Sequence, residues 1–128
     1  HLVRALYGAC RIQEDLEQIR ANIHQMDPIV KDAKIAFGIG ICCGPITVGN
    51  FGSSFRFNYT VLGDAVNTAS RLESLTKEKG QGILVAANEL ADGQVYEFNG
   101  RKMIIELVGS TEIRGKVEVL NIFTAKFL

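Results

Sequence analysis

An asparagine and an arginine one helical turn apart are the residues of this sequence best suited to chemistry. Asn67 and Arg71 lie within residues 65 to 79, whose composition is typical of a helix, and their i, i+4 spacing puts a carboxamide and a guanidinium on one face. Asparagine is unfavourable inside a helix unless its side chain is used, because it competes for backbone hydrogen bonds. The pair is therefore either part of a solvated or interface face, or a clamp for an anion or a ribose.

A strand and a turn must position this helix. Residues 55 to 62 alternate between two sets of side chains with the period of a half-buried strand, and Gly63 and Asp64 interrupt the pattern. Asp64 is predicted to be the N-cap, and Gly80 is predicted to end the helix. A second helical stripe is predicted to pack on a sheet, and its members are Val66, Ala69, Leu72 and Thr76.

The elements upstream are a helix and a strand with one small face. Apolar residues at three- and four-residue steps predict an amphipathic helix from about residue 2 to 26, and its pattern is already running at the first residue, so we expect sequence upstream of it. Residues 34 to 43 predict a strand with Gly38 and Gly40 on its small face, which favours the close approach of another backbone over a ligand. Residues 49 to 54 are predicted to be a loop.

The downstream part of the chain is predicted to be rich in strands. Residues 82 to 87 read as a short buried strand, and Asn99-Gly100 is a strong signal for a two-residue hairpin turn. Two more strands, 112 to 114 and 117 to 127, are predicted around a turn at Gly115. Helices followed by mostly strands predict an α+β sandwich in which the helices pack on a mixed sheet.

The composition argues against several classes of function. Fourteen basic and fourteen acidic residues cancel, so neither nucleic acid nor an anionic membrane is an expected partner, and no apolar run approaches the roughly 20 residues of a membrane span. Histidine catalysis is not expected either, because only two histidines are present without a catalytic constellation. The three cysteines are Cys10, Cys42 and Cys43. Their spacing fits neither a disulfide framework nor a zinc site, which indicates a reduced, cytoplasmic setting.

Three motifs in the middle of the chain point to a family. They read GIGICCGP at 38–45, VGNFGS at 48–53 and YTVLGDAVNTASRL at 59–72. In order and approximate spacing they closely resemble the catalytic domain of class III adenylyl/guanylyl cyclases. The similarity continues more weakly through residues 83–85 and 112–116, so that it covers nearly the whole chain, although only the middle is diagnostic.

The resemblance implies both a fold and an activity. The fold is a ferredoxin-like, cyclase-type α+β sandwich with helices on a mixed, mainly antiparallel sheet, and residues 1–128 would be a partial catalytic domain that lacks the N-terminal part of the core. The activity is that of an adenylate cyclase in intracellular signalling, in which the ribose 3′-hydroxyl of ATP attacks the α-phosphate to give 3′,5′-cyclic AMP and pyrophosphate. The family acts as a head-to-tail dimer whose metal-binding aspartates come from a part of the domain upstream of this segment, so this segment alone is expected to be inactive.

The resemblance also implies roles for five residues. Asn67 would orient the ribose, and Arg71 would stabilise charge on the phosphate undergoing attack. Thr60 lies where the family reads the purine, and a threonine there is similar to the cyanobacterial and bicarbonate-responsive adenylyl branch, which favours ATP over GTP. Arg114 would contact the terminal phosphates, with an exposed turn cation as the alternative, and Arg56 is a further candidate for the triphosphate.

Two metal ions, Mg²⁺ or Mn²⁺, are implied by the family, but their aspartate ligands and an adenine-reading lysine belong to segments upstream of this chain. The spacing of Asp15, Asp32 and Asp64 suggests no replacement metal site. The expected partners are ATP, or alternatively GTP, and a second cyclase protomer, usually an identical one. The alternatives are a guanylyl cyclase and a non-catalytic cyclase-like module for dimerisation or nucleotide sensing. The expected location is the cytoplasm, either free or as the cytosolic domain of a larger membrane-attached protein.

Overall fold

The fold is built from an N-terminal helix, a strand-rich middle with a second helix, and a C-terminal set of long strands. The computed structural model describes residues 1–26, 35–53, 56–112 and 118–128. Within them the helices are α1 (Leu2–Met26) and α2 (Asp64–Lys79), and the strands are β1 (Ile39–Cys42), β2 (Thr47–Ser53), β3 (Arg56–Leu62), β4 (Ile83–Ala86), β5 (Val95–Phe98), β6 (Arg101–Glu112) and β7 (Val119–Phe127). No helix of the described residues is both long and apolar enough to cross a membrane.

Five of the strands form one mixed sheet. Their order is β1-β4-β7-β6-β5, and β1 pairs parallel with β4 while the other neighbours pair antiparallel. The remaining strands, β2 and β3, pair with each other and form a separate two-stranded ribbon. The predicted α+β sandwich of helices on a mixed, mainly antiparallel sheet is therefore confirmed.

The two helices cover opposite faces of the sheet. Strand β4 lies between them, because Ile83 and Val85 join the apolar cluster around α1, whereas Leu84 and Ala86 join the cluster around Leu72 of α2. All four strand residues are buried, which explains why this strand reads as a continuous apolar run instead of an alternating one. The sheet therefore separates the surface covered by α1 from the surface that carries α2.

Helix α1 has the predicted bounds and packs through a stripe of small and aliphatic side chains. Leu6 and Leu16 are almost completely buried, and Tyr7 contacts the aromatic rings of Phe98 and Phe127 at centroid distances of 5.1 and 5.6 Å. The opposite stripe of the helix, which includes Ile12, Ile19 and Met26, is exposed.

Strand β1 is shorter than predicted. Parallel pairing with β4 begins at Ile39, so residues 35 to 38 are not part of the strand. Residue 34 is not among the described residues. Side chains of α1 take the place of strand partners here, because Gln13 donates to the Phe37 carbonyl at 3.0 Å and Arg20 donates to the Ile35 carbonyl. The alternating pattern of residues 34 to 43 therefore extends beyond the strand itself.

The predicted loop at 49 to 54 is wrong for residues 49 to 53, which belong to strand β2. Cross-strand pairing from Thr47 and Leu62 to Ser53 and Arg56 fixes this segment in an antiparallel ladder. Glycines normally weaken a strand, but here the backbone pairing with β3 supplies the hydrogen bonds that a loop would leave to water. Residue 54 is not among the described residues.

The C-terminal strands are longer and less divided than predicted. The hairpin turn is confirmed, because Asn99 and Gly100 have positive φ values of 50° and 75°. Strand β6 then continues to Glu112, which pairs with Val119 of β7. The prediction that a separate strand begins at residue 112 is therefore wrong, because residue 112 is the last residue of β6. The rest of that predicted strand and the turn at Gly115 lie outside the described residues.

Candidate functional site

Helix α2 starts one residue earlier than predicted. Its N-cap is Gly63, whose carbonyl accepts hydrogen bonds from the amides of Val66 and Asn67 at 3.1 and 3.3 Å. The prediction that Asp64 is the N-cap is wrong, because Asp64 is already the first helical residue and the helix has no side-chain capping bond. A carboxylate in the first turn still complements the positive end of the helix dipole.

The far end of α2 is defined as the sequence predicts. Gly80 is the C-cap, with φ 65° and ψ 27°, and its amide donates to the carbonyls of the last turn. A β-carbon disfavours this left-handed conformation, so glycine suits the position. The helix therefore has a defined length of 16 residues, which fixes how many turns follow Asn67 and Arg71.

The two stripes of α2 face in different directions, as the sequence predicts. Leu72 and Thr76 are 1% and 5% exposed and pack toward the sheet, whereas Asn67 and Arg71 lie on the exposed face. Neither Asn67 nor Arg71 has a hydrogen-bond or ion-pair partner among the residues that the structure describes. A carboxamide and a guanidinium with their hydrogen-bonding groups unused are thus presented together on one surface.

The exposed face of α2 is polar along its whole length. Its members recur at three- and four-residue steps and are Asp64, Asn67, Arg71, Ser74 and Glu78. Arg71 is the cation of this stripe, and a guanidinium offers five donors in a planar fork that matches a phosphate. The stripe can therefore bind a phosphate group at one point and a neutral hydrogen-bonding group one turn earlier.

The backbones of β1 and α2 are in close contact. A β-carbon built on Gly40 would overlap the carbonyl oxygen of Ala69 and would approach the Glu73 amide nitrogen to 2.5 Å. The predicted reason for the small face of this strand, the close approach of another backbone, is confirmed. The helix backbone on either side of Arg71 therefore rests directly on the sheet.

The other predicted site residues are placed less completely. Thr60 lies in β3, paired with Gly49 and two residues before the end of the strand, so its backbone is close in sequence to the start of α2. Arg56 lies at the opposite end of β3, roughly 20 Å along the strand from Leu62 at about 3.4 Å per residue. Arg114 lies outside the described residues. Along the chain, Thr60 thus lies four residues before the first residue of α2, and Arg56 lies eight residues before it.

The described residues do not fit a metal site. Among 1–26, 35–53, 56–112 and 118–128, no group of three or more histidine, cysteine, aspartate or glutamate side chains could hold an ion.

A cleft of about 510 Å³ on the α1 side of the sheet was not predicted. It lies between α1, the start of β4, β6 and the end of β7. Its charged groups are largely occupied, since Glu14 pairs with Arg101 and Lys126 pairs with Glu106 at 2.9 Å. No local sequence pattern predicts the cleft, because its lining residues come from segments far apart in the chain. Among the residues that the structure describes, none of α2 or the ribbon lines the cleft, and Asn67 and Arg71 are not part of it. Its lining residues are Cys10, Gln13, Glu14, Glu17, Gln81, Gly82, Ile83, Glu106, Thr124, Ala125, Lys126 and Phe127.

Comparison with known proteins identifies relatives of this chain. An adenylate cyclase of Anabaena cylindrica is 32% identical over 122 residues, which make up 95% of this chain and 24% of that protein. Adenylate cyclase 1 of Rhizobium meliloti (strain 1021) is 30% identical over 123 residues, or 96% of this chain and 17% of that protein. The chain thus spans a quarter or less of the length of these two relatives.

A solved structure has the same fold. The structure of a bacterial light-regulated adenylyl cyclase matches 94% of this chain and 31% of its own chain, with a TM-score of 0.67 and 26% sequence identity. The family profile described as the adenylate and guanylate cyclase catalytic domain matches residues 5–124. The chain therefore belongs to the adenylate and guanylate cyclase catalytic domain family.

Proposed function

We propose that this chain is part of an adenylate cyclase that converts ATP to 3′,5′-cyclic AMP and pyrophosphate in intracellular signalling. The observation that carries the proposal is the exposed pair Asn67 and Arg71, one turn apart on α2 and without partners among the described residues. Family membership and the adenylate cyclases among the relatives support the reaction class.

The reaction needs two kinds of help that these side chains can supply. The ribose 3′-oxygen forms a bond to the α-phosphorus and loses its proton, while the bond from that phosphorus to the pyrophosphate oxygen breaks. The Asn67 carboxamide can hold the ribose in line for this attack, because it can both donate and accept hydrogen bonds. The Arg71 guanidinium can neutralise the charge that develops on the phosphate oxygens.

We propose that a second copy of the chain completes the site. The ribbon of β2 and β3 is a separate two-stranded sheet, and the apolar side chains of Ile46, Val48 and Leu62 are 53%, 47% and 49% exposed. An isolated two-stranded ribbon is marginally stable in water, so a partner that covers these side chains would stabilise it. Groups of the partner protomer outside the residues of this chain would hold the two Mg²⁺ or Mn²⁺ ions, which would lower the charge of the triphosphate when bound.

ATP is the proposed substrate and GTP the alternative. Thr60 supports this choice through a hydroxyl that can donate to or accept from a purine edge. Arg114 and Arg56 are proposed to contact the triphosphate, and because Arg56 is remote from α2 along its own strand, it would serve a site that includes the other chain. The proposed location is the cytoplasm.

The experiment that tests the function is turnover of ATP by the full-length protein and two variants. Asn67→Ala and Arg71→Ala are each expected to lower kcat by about a hundredfold or more, as loss of a transition-state contact does in other enzymes. Glu78→Gln, on the same exposed face two turns beyond Arg71, is the matched control and should leave turnover unchanged.

Three outcomes would contradict the proposal. Unchanged turnover in both Asn67→Ala and Arg71→Ala would show that the pair has no part in catalysis. ATP or GTP binding by the full-length protein without formation of a cyclic nucleotide would favour a non-catalytic nucleotide-sensing module. Preferential turnover of GTP in a competition between the two nucleotides would favour a guanylyl cyclase.

A further inference from the structure

The close contact between β1 and α2 is formed by backbone on both sides. A β-carbon on Gly40 would meet the Ala69 carbonyl oxygen and carbon and the Glu73 amide nitrogen, the last at 2.5 Å. All three atoms belong to the helix backbone, so no side-chain rotation could relieve the overlap. Any side chain at position 40 would have to displace the helix or the strand.

The contact at the neighbouring glycine is of a softer kind. A β-carbon on Gly38 would overlap the hydroxyl oxygen of Thr76 and would lie 2.9 Å from the Glu73 carbonyl oxygen. The Thr76 hydroxyl itself donates to that carbonyl at 2.6 Å. Most of the obstruction at Gly38 is therefore one side chain that mutation can remove.

The strand has less freedom to move than the helix. Gly40 is paired with Leu84 of β4, whose side chain is fully buried, and β4 is packed on both faces. Because close-packed interiors transmit strain instead of absorbing it, a side chain at position 40 would push α2 outward. The displaced segment, Ala69 to Glu73, is centred on Arg71.

We propose that Gly38 and Gly40 are positioning residues for catalysis: they let α2 lie on the sheet at the distance at which Arg71 and Asn67 meet the substrate. This inference rests on the proposed function, since it assigns the glycines an effect through Arg71. Neither glycine contacts substrate. They act by allowing a short distance between the backbones of α2 and β1.

The first test is Gly40→Ala in the full-length protein. We expect kcat for ATP to fall by about a hundredfold, the effect of a misplacement of roughly 1 Å, with KM within threefold of the wild-type value. Gly8→Ala is the matched control, because a β-carbon at Gly8 meets nothing within 4 Å, and its turnover should be unchanged. Circular dichroism and the oligomeric state establish that both variants are folded.

A double-mutant comparison separates positioning from general damage. In an Arg71→Ala background, Gly40→Ala should reduce kcat by less than about tenfold, since the group it displaces is already gone. A purely structural defect would give the same hundredfold loss in both backgrounds, and that result would overturn the inference. A folded Gly40→Ala variant with wild-type kcat would overturn it as well.

A second pair of variants tests the inference if Gly40→Ala does not fold. Gly38→Ala should lower kcat. The double variant Gly38→Ala/Thr76→Ala should have a kcat at least tenfold higher than Gly38→Ala alone, because Thr76→Ala removes the obstructing hydroxyl. No recovery in the double variant would contradict the positioning role. If Arg71→Ala alone keeps wild-type turnover, the proposed function fails first, and this result is distinct from a failure of the glycine variants.

Discussion

Arg101 donates two hydrogen bonds to Glu14, 2.8 Å from Nη1 to one carboxylate oxygen and 3.0 Å from Nη2 to the other. The same guanidinium lies 3.5 Å from the centroid of the Phe127 ring. One side chain of β6 is thus joined to α1 and to the last strand at once. The hydrogen bonds from Arg101 lower the pKa of Glu14, and those same bonds raise the pKa of Arg101.

Removal of this arginine is expected to destabilise the fold and to change its response to acid. Arg101→Ala should lower the Tm, and Arg101→Lys should lower it less, because lysine keeps the charge but not the bidentate geometry. A carboxyl group whose pKa is lowered on folding stabilises above its unfolded pKa of about 4.3, and this contribution is lost as the pH falls through the folded value. Thermal melts from pH 7 to pH 3 should therefore converge for wild type and Arg101→Ala.

Lys102→Ala is the control for that measurement. Lys102 is the exposed neighbour of Arg101 on β6, and no ion pair is observed for it among the described residues. Its substitution should leave the Tm nearly unchanged at every pH. Parallel melting curves for wild type and Arg101→Ala across the acid range would contradict the role given to the Glu14 pair.

The sequence predicts local structure well where a single pattern decides it. The amphipathic period predicts α1, and the Asn99-Gly100 pair predicts the hairpin turn. The glycines at and before β1 indicate close packing, because a strand otherwise avoids glycine. The helical spacing of Asn67 and Arg71 likewise predicts their shared exposed face.

Features that depend on partners distant in sequence were not predictable in this way. The β2 segment contains Gly49 and Gly52 and reads as a loop, but its pairing with β3 makes it a strand. The N-cap of α2 is Gly63 instead of Asp64, and the sequence does not distinguish the two because both residue types are favourable at an N-cap. The cleft near Gln13 is formed by residues of α1, β4, β6 and β7 that lie far apart in the sequence, so no local pattern predicts it.

The thiol of Cys10 should make stability depend on alkaline pH. Cys10 is 4% exposed, and its burial raises the pKa of the thiol to about 11. Because the unfolded thiol ionises near pH 8.5, the stabilisation is complete below that pH and is lost as the pH rises toward 11. The loss over this range should reach about 3 kcal/mol in the free energy of unfolding.

Urea unfolding at pH 8 and pH 10.5 measures this contribution. Cys10→Ala should cost about 1 to 2 kcal/mol at pH 8 through lost packing, but it should lose less stability than wild type between the two pH values. The two proteins differ only at position 10, so the difference between their losses isolates the Cys10 thiol. An equal loss in wild type and variant would show that Cys10 does not titrate in this range.

The exposed ribbon should govern dimerisation. Val48→Glu places a charge on an apolar surface that is 47% exposed in one chain, and burial of an unpaired carboxylate in an interface is unfavourable. Sedimentation of the full-length protein should show a dimer dissociation constant at least tenfold weaker for this variant. Turnover at low protein concentration should fall in parallel and recover at high concentration.

Val95→Glu is the matched control for the ribbon variant. Val95 is 48% exposed, almost the same fraction as Val48, but it lies on β5 at the far edge of the large sheet. Its substitution should leave the dimer unchanged. Equal weakening by both variants would assign the effect to charge in general, and no weakening by Val48→Glu would place the dimer interface elsewhere.

The shape of the guanidinium at position 71, in addition to its charge, should matter for turnover. Arg71→Lys retains the positive charge but loses the planar fork that can bind two phosphate oxygens together. We therefore expect kcat to fall by about tenfold in Arg71→Lys, between wild type and the larger loss in Arg71→Ala, with little change in KM. Lys77→Arg, a substitution of the opposite kind in the last turn of the same helix, is the control and should not alter kcat. Wild-type activity in Arg71→Lys would mean that charge alone is used, and activity equal to Arg71→Ala would mean that the fork is indispensable.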